Sequence, residues 1–98
     1  MDIDAEYQEK ALRLIEALLP EAKIYLFGSR ARGTHITSSS DIDLALDAGK
    51  PLDPIVKGED RDVLNATNMP YRFDVVDFNN ISERLRTIIL QEGIVWKA

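Results

Sequence analysis

One stretch of this 98-residue chain combines a glycine–serine turn with two closely spaced aspartates, residue types suited to handling phosphate groups. Residues 24–27 form a β-rich apolar run that stops abruptly at Gly28-Ser29, which leaves backbone N–H groups and a hydroxyl at the end of a strand. Such a turn can hold phosphate oxygens. After a Ser- and Thr-rich stretch the chain returns as Asp41-Ile42-Asp43-Leu44-Ala45-Leu46, whose initial polar/apolar alternation reads as a strand. With a period of two, Asp41 and Asp43 share one face and Ile42 and Leu44 the other. Paired carboxylates repel each other, more so when partly shielded from water, so a cation is expected beside them. With no Cys and one His (His35, in the loop), hard oxygen ligands favour Mg²⁺, with Mn²⁺ as the alternative, over Zn²⁺. Mg²⁺ is commonly completed by substrate phosphates, and the Gly28-Ser29 turn is placed to present them.

The run Gly28-Ser29-Arg30-Ala31-Arg32-Gly33 followed by Ser40-Asp41-Ile42-Asp43-Leu44 resembles the signature of the DNA-polymerase-β-type nucleotidyltransferase superfamily. It is most similar to the minimal, single-domain bacterial members, the MNT-type nucleotidyltransferases. Eleven residues separate Ser29 from Asp41, one more than the usual pattern. The resemblance implies that Gly28 and Ser29 bind nucleotide phosphates, that Asp41 and Asp43 hold two Mg²⁺ ions, and that a third carboxylate on a neighbouring strand completes the site. It also implies ATP as substrate and a HEPN-type helical protein as partner, with the transferase acting as antitoxin of a toxin–antitoxin pair. The fold implied is α+β, a small mixed sheet with helices packed mainly on one face.

The third carboxylate is sought in Tyr71-Arg72-Phe73-Asp74-Val75-Val76-Asp77-Phe78, a strand by its aromatic and β-branched content. Asp74 and Asp77 are an odd number of positions apart and face opposite sides, so only one can join Asp41 and Asp43. Asp74, in mid-strand and on the face of Arg72 and Val76, is the choice, with Asp77 the alternative. Arg30 and Arg32 are the local cations for a triphosphate, since the chain as a whole is acidic, with 17 acidic against 12 basic residues and a net charge of −5. That balance opposes general nucleic-acid binding.

The remaining sequence supplies the frame. Residues 4–19 read as an amphipathic helix with Ala11, Leu14, Ile15 and Leu18 at helical spacing, ended by Pro20. Asp53-Pro54 matches an N-cap and first helical position, opening a helix to about Asn65 with Ile55, Val56, Val63 and Leu64 as its apolar side. Asn80 with Glu83 resembles a capping box, Leu85, Ile88 and Ile89 form the next stripe, and Gly93 signals the helix end. Ile94-Val95-Trp96 reads as a last edge strand guarded by Lys97, with Trp96 closing a small core. At 45% hydrophobic and 30% charged, residues 1–98 fit one small globular domain, with cytoplasm as the default location. The acceptor must then be recognised by a small surface or by a partner chain, and a homo-oligomer is compatible with the sequence. The expected function is Mg²⁺-dependent transfer of AMP from ATP to a hydroxyl of a partner protein. The alternative is a catalytically silent nucleotide-binding module that regulates its partner by complex formation.

Overall fold

The structure, a computed structural model, describes residues 3–33 and 41–98. His35 lies outside the described residues. Helix α1 (Ala5–Leu18) is followed by strand β1 (Lys23–Phe27), a single-turn helix α2 (Ser29–Arg32), strand β2 (Ile42–Asp47), helix α3 (Pro54–Ala66), strand β3 (Phe73–Asp77), helix α4 (Glu83–Glu92) and strand β4 (Ile94–Lys97). The four strands form one sheet in the order β3-β2-β1-β4. β2 and β3 run parallel, and the β1–β2 and β1–β4 pairs are antiparallel, so the sheet is mixed. The parallel pair requires a crossover, and α3 supplies it.

Alternation along the strands divides the sheet into two unequal faces. Ile24, Leu26, Ile42, Leu44, Leu46, Phe73 and Val75 point to one, where they meet Ala11 and Ile15 of α1 and Leu64 of α3 in the main core. Burying a side chain such as Ile15 or Leu44 contributes about 2 kcal/mol each. On the other face a smaller cluster joins Ala45 and the half-buried Tyr25 and Val76 to Ile89 of α4 and Phe78, with Tyr25 and Phe78 stacked at 5.4 Å. Among the described residues two helices thus cover the first face and α4 covers part of the second, the remainder of which carries the acidic ends of β2 and β3.

Local signals explain most boundaries. Asp53 caps α3, its Oδ1 accepting from the Ile55 N–H at 2.8 Å, and Pro54 occupies the first turn. Ile55, expected on the apolar side, is 70% exposed, and Leu64 anchors the helix instead. The cap of α4 is Ser82, whose Oγ accepts from the Leu85 N–H, rather than Asn80, which belongs to a 3₁₀ turn at Phe78–Asn80. Gly93 ends α4 without a left-handed φ (−70°). A Cβ there would collide with the Ile89 carbonyl oxygen and crowd that of Leu26, so glycine is needed for close approach. β4 lies at a sheet edge with Trp96 buried, and the Lys97 ammonium reaches Glu16 at 3.6 Å.

Candidate active site

Strands β1, β2 and β3 bring the candidate site together at one end of the sheet. Phe27, the last residue of β1, is registered with Asp43 of β2, and Asp43 with Asp74 of β3. Aligned residues of a parallel pair point to the same face, so Asp43 and Asp74 sit side by side, and Asp41 joins them two residues earlier by alternation. Asp43 is half-buried, while Asp41 and Asp74 are exposed. Among the described residues no hydrogen-bond donor is shared with these three carboxylates. Burial pushes the Asp43 carboxyl above its ordinary range, and the neighbouring charges of Asp74 and then Asp41 push it further, while Arg32 pulls the other way.

The Gly28-Ser29 turn abuts this group. Gly28 has φ +78° and ψ −157°, a conformation that L side chains rarely adopt. A Cβ there would also overlap Asp43 Oδ2 and come within 3.2 Å of its Cγ. Backbone strain and contact with Asp43 therefore demand the same residue. Ser29 opens α2, an element hidden from the sequence reading because four residues are too few for periodicity. That turn separates the two arginines expected to meet phosphate. Arg30 points inward and is 2% exposed, its guanidinium 5.2 Å from the Tyr71 ring centre, a cation–π contact that braces the Tyr71 segment. Tyr71 in turn packs edge-on against Tyr7 of α1, with ring centres 5.6 Å apart. Arg32 stays exposed, 3.4 Å from Glu92, and is the cation whose field reaches Asp43.

Asp77 occupies a different environment. It is buried, its Oδ2 accepting from the Leu52 N–H at 2.7 Å and its Oδ1 from the Asn79 N–H at 3.0 Å. Its carboxylate ties together two loops on the far side from Asp43.

Beyond Asp74 a groove of about 690 Å³ opens at the sheet edge, lined by Asp41, Arg61, Asn65, Tyr71, Arg72, Phe73 and Asp74. Asn65 fixes its wall: its amide Nδ2 donates to the Phe73 carbonyl at 2.9 Å and its Oδ1 accepts from the Phe73 N–H at 2.8 Å. An α3 side chain thus satisfies β3 where no further strand pairs with it. Sequence reasoning missed Arg61 and Asn65; their i, i+4 spacing on a predicted helix was the available signal.

The three carboxylates form a hard, oxygen-only donor set with too much negative charge for one place, which fits a divalent cation. Among the described residues no three acidic, His or Cys side chains already converge as a group that could hold a metal ion, so Asp41, Asp43 and Asp74 would have to draw together around one. Mg²⁺ takes few carboxylates and completes its shell with phosphate and water, so part of its coordination would come from substrate.

The fold is that of a nucleotidyltransferase: residues 13–97 match the family described as polymerase beta, nucleotidyltransferase, and the chain belongs to it. A relative from Haemophilus influenzae, a probable protein adenylyltransferase MntA, is 30% identical over 95 residues, 97% of this chain and 82% of its own. Among solved structures, a toxin–antitoxin with AMP-PNP superposes with a TM-score of 0.77 at 31% identity, covering 91% of this chain and 71% of that one. A tri-AMPylated Shewanella oneidensis HEPN toxin in complex with MNT antitoxin gives 0.73 at 27% identity, covering 93% and 69%. No helix among the described residues is long and apolar enough to cross a membrane.

Proposed function

We propose that this chain is the antitoxin of a HEPN/MNT pair and transfers AMP from ATP to a hydroxyl of its helical partner protein. The observation that carries the reading is the row formed by the Gly28 backbone, Asp43 and Asp74 across three adjacent strands. The relatives support the choice of nucleotide and partner: one is named as a protein adenylyltransferase, one structure holds AMP-PNP, and one holds an AMPylated toxin with its antitoxin.

In the reaction the acceptor oxygen bonds to the α-phosphorus while the bond from that phosphorus to the bridging oxygen breaks. The electron pair leaves with pyrophosphate, and the acceptor proton is lost. Gly28 and Ser29 hold the outer phosphates, glycine allowing the backbone to approach without a Cβ. Arg32 offsets charge on that side. Asp41, Asp43 and Asp74 would hold two Mg²⁺ ions, which supply charge neutralisation at the triphosphate and a lowered pKa at the acceptor hydroxyl when bound. Asp74, exposed on the side away from Gly28, orients the hydroxyl and can take its proton.

Incubating the chain with its candidate partner, Mg²⁺ and labelled ATP tests the reading. Label on the partner is expected, and its absence while ATP still binds would overturn the transfer step. Asp43→Asn separates a transferase from a silent binder: the variant should bind the partner yet fail to neutralise it, whereas retained neutralisation would favour regulation by complex formation.

A further inference from the structure

The order of strands at the site gives the reaction a direction, and the groove beyond Asp74 lies at its acceptor end. Gly28 closes β1 and touches Asp43 of β2, and Asp74 stands on the other side of Asp43, on β3. Adjacent strands are about 4.8 Å apart, so phosphate cradle, central carboxylate and outer carboxylate form a line across the sheet end. In-line displacement at phosphorus puts the leaving pyrophosphate and the attacking hydroxyl on opposite sides. With pyrophosphate on the Gly28 side, the hydroxyl arrives from the β3 side, where the groove opens.

The charges lining that groove are of two kinds. Asp41 and Asp74 belong to the acid group. Arg61 and Arg72 do not: Arg72 is exposed and makes no ion pair among the described residues, and Arg61 meets only the exposed Asp62 at 3.4 Å. A contact of that length between exposed groups is worth little and yields readily to a better anion. The two arginines approach from different elements. Arg72 precedes β3 on the face of Asp74 by alternation. Arg61 lies one helical turn before Asn65, whose paired hydrogen bonds to Phe73 anchor α3 against the edge of β3. In a chain of net charge −5, this guanidinium pair gives the groove a cationic side facing Asp41 and Asp74.

We propose that Arg61 and Arg72 form an acceptor-side anion subsite, which holds an anionic group next to the attacking hydroxyl and thereby selects the acceptor. The inference rests on the transferase reading given above. Two sources carry the same chemistry: carboxylates flanking the hydroxyl in the acceptor segment, and the phosphodiester of a nucleotide already attached to it. The groove volume of about 690 Å³ accommodates either. Arg61 and Arg72 are positioning residues here, acting on the acceptor and not on ATP.

The test is a binding measurement that does not require turnover. The full chain, saturated with a non-hydrolysable ATP analogue and Mg²⁺, is titrated with two probes, the peptide Asp-Ser-Asp and the dinucleotide adenylyl-adenosine, with Asn-Ser-Asn and adenosine as uncharged controls. At least one anionic probe should bind more tightly than its control, and Arg61→Ala and Arg72→Ala should each weaken it about tenfold, with Lys at either position restoring part of the loss. Affinity for the ATP analogue should not change. The probe that responds identifies the source of the anion. Equal binding of probe and control, or probe binding unaffected by both substitutions, would overturn the subsite. So would weakened binding of the ATP analogue, since the arginines would then face the triphosphate. A chain that binds a probe through Arg61 and Arg72 but labels no acceptor would leave the subsite standing and the transferase reading refuted.

Discussion

The parallel β2–β3 pair carries aspartates at both ends, and the two ends treat them in opposite ways. At the trailing end, Asp77 receives two backbone N–H groups and Asp47 Oδ1 receives the Gly49 N–H at 2.9 Å and the Asn79 amide at 2.8 Å. At the leading end, Asp43 and Asp74 are registered side by side, with Asp41 close by and no donor among the described residues, and charge is crowded until Asp43 resists ionisation. A carboxylate saturated with donors has its full complement of partners within the fold and serves stability. Carboxylates left facing one another retain their lone pairs for something from outside. The same residue type on the same two strands is therefore sorted by what donates to it.

Exchanging Asp43 for Asn should break this contrast most severely. Transfer activity should fall by about three orders of magnitude, since the central carboxylate is lost from the charge-stabilising group. Thermal stability should hold or rise slightly, because one of three mutually repelling charges disappears. Labelled-nucleotide transfer and a melting curve on the same preparation check both halves; a variant that is inactive because it is unfolded would contradict the assignment. Gly28→Ala probes the neighbouring contact. Its Cβ strains the backbone at φ +78° and displaces the Asp43 carboxylate, and activity should drop about a hundredfold with a smaller loss of stability.

The reverse pattern is expected at the trailing end. Asp77→Ala leaves the part-buried Leu52 N–H without its acceptor and should cost about 2–3 kcal/mol in urea unfolding, with activity per folded molecule retained. If Asp77→Ala instead abolished transfer in a folded protein, the sorting of acids by their donors would fail.

How much of this contrast could be read from the sequence depends on the range of the interactions that create it. Alternation alone placed Asp41 with Asp43 and separated Asp74 from Asp77, because strand periodicity is local. It could not choose between Asp74 and Asp77, since that depends on which face of β3 meets α3 and which meets the open end of the sheet. The helices over 4–19 and from Asp53 were legible through periodicity and capping, whereas the Ser82 cap was masked by Asn80 and Glu83 at the same offset. The contact of Arg30 with Tyr71 was not legible, because the one turn of helix that carries its guanidinium there is invisible in four residues. The groove was not legible at all, because Asn65 and Phe73 join through hydrogen bonds between a side chain and an edge strand.

One further aspartate belongs to neither end and sharpens the comparison by a smaller effect. Asp60 of α3 is 1% exposed, and both its carboxylate oxygens lack a hydrogen-bond partner. Burial, assisted by the neighbouring Glu59, raises its pKa from 3.8 to about 6. It has neither the donors of Asp77 nor the open surroundings of Asp74. Because the folded value lies above the unfolded one, the charged form opposes folding at neutral pH. As pH falls from 7 towards 4.5, the native state takes up a proton that the unfolded chain does not yet bind, so the contribution of Asp60 to stability rises. A shift of this size corresponds to about 2–3 kcal/mol at most. Asp60→Leu should therefore raise stability at pH 7.5 by about 1–2 kcal/mol and remove this rise on acidification, as measured by urea midpoints across that range. A profile that keeps the wild-type slope in the variant would show that Asp60 finds a counter-charge in solution.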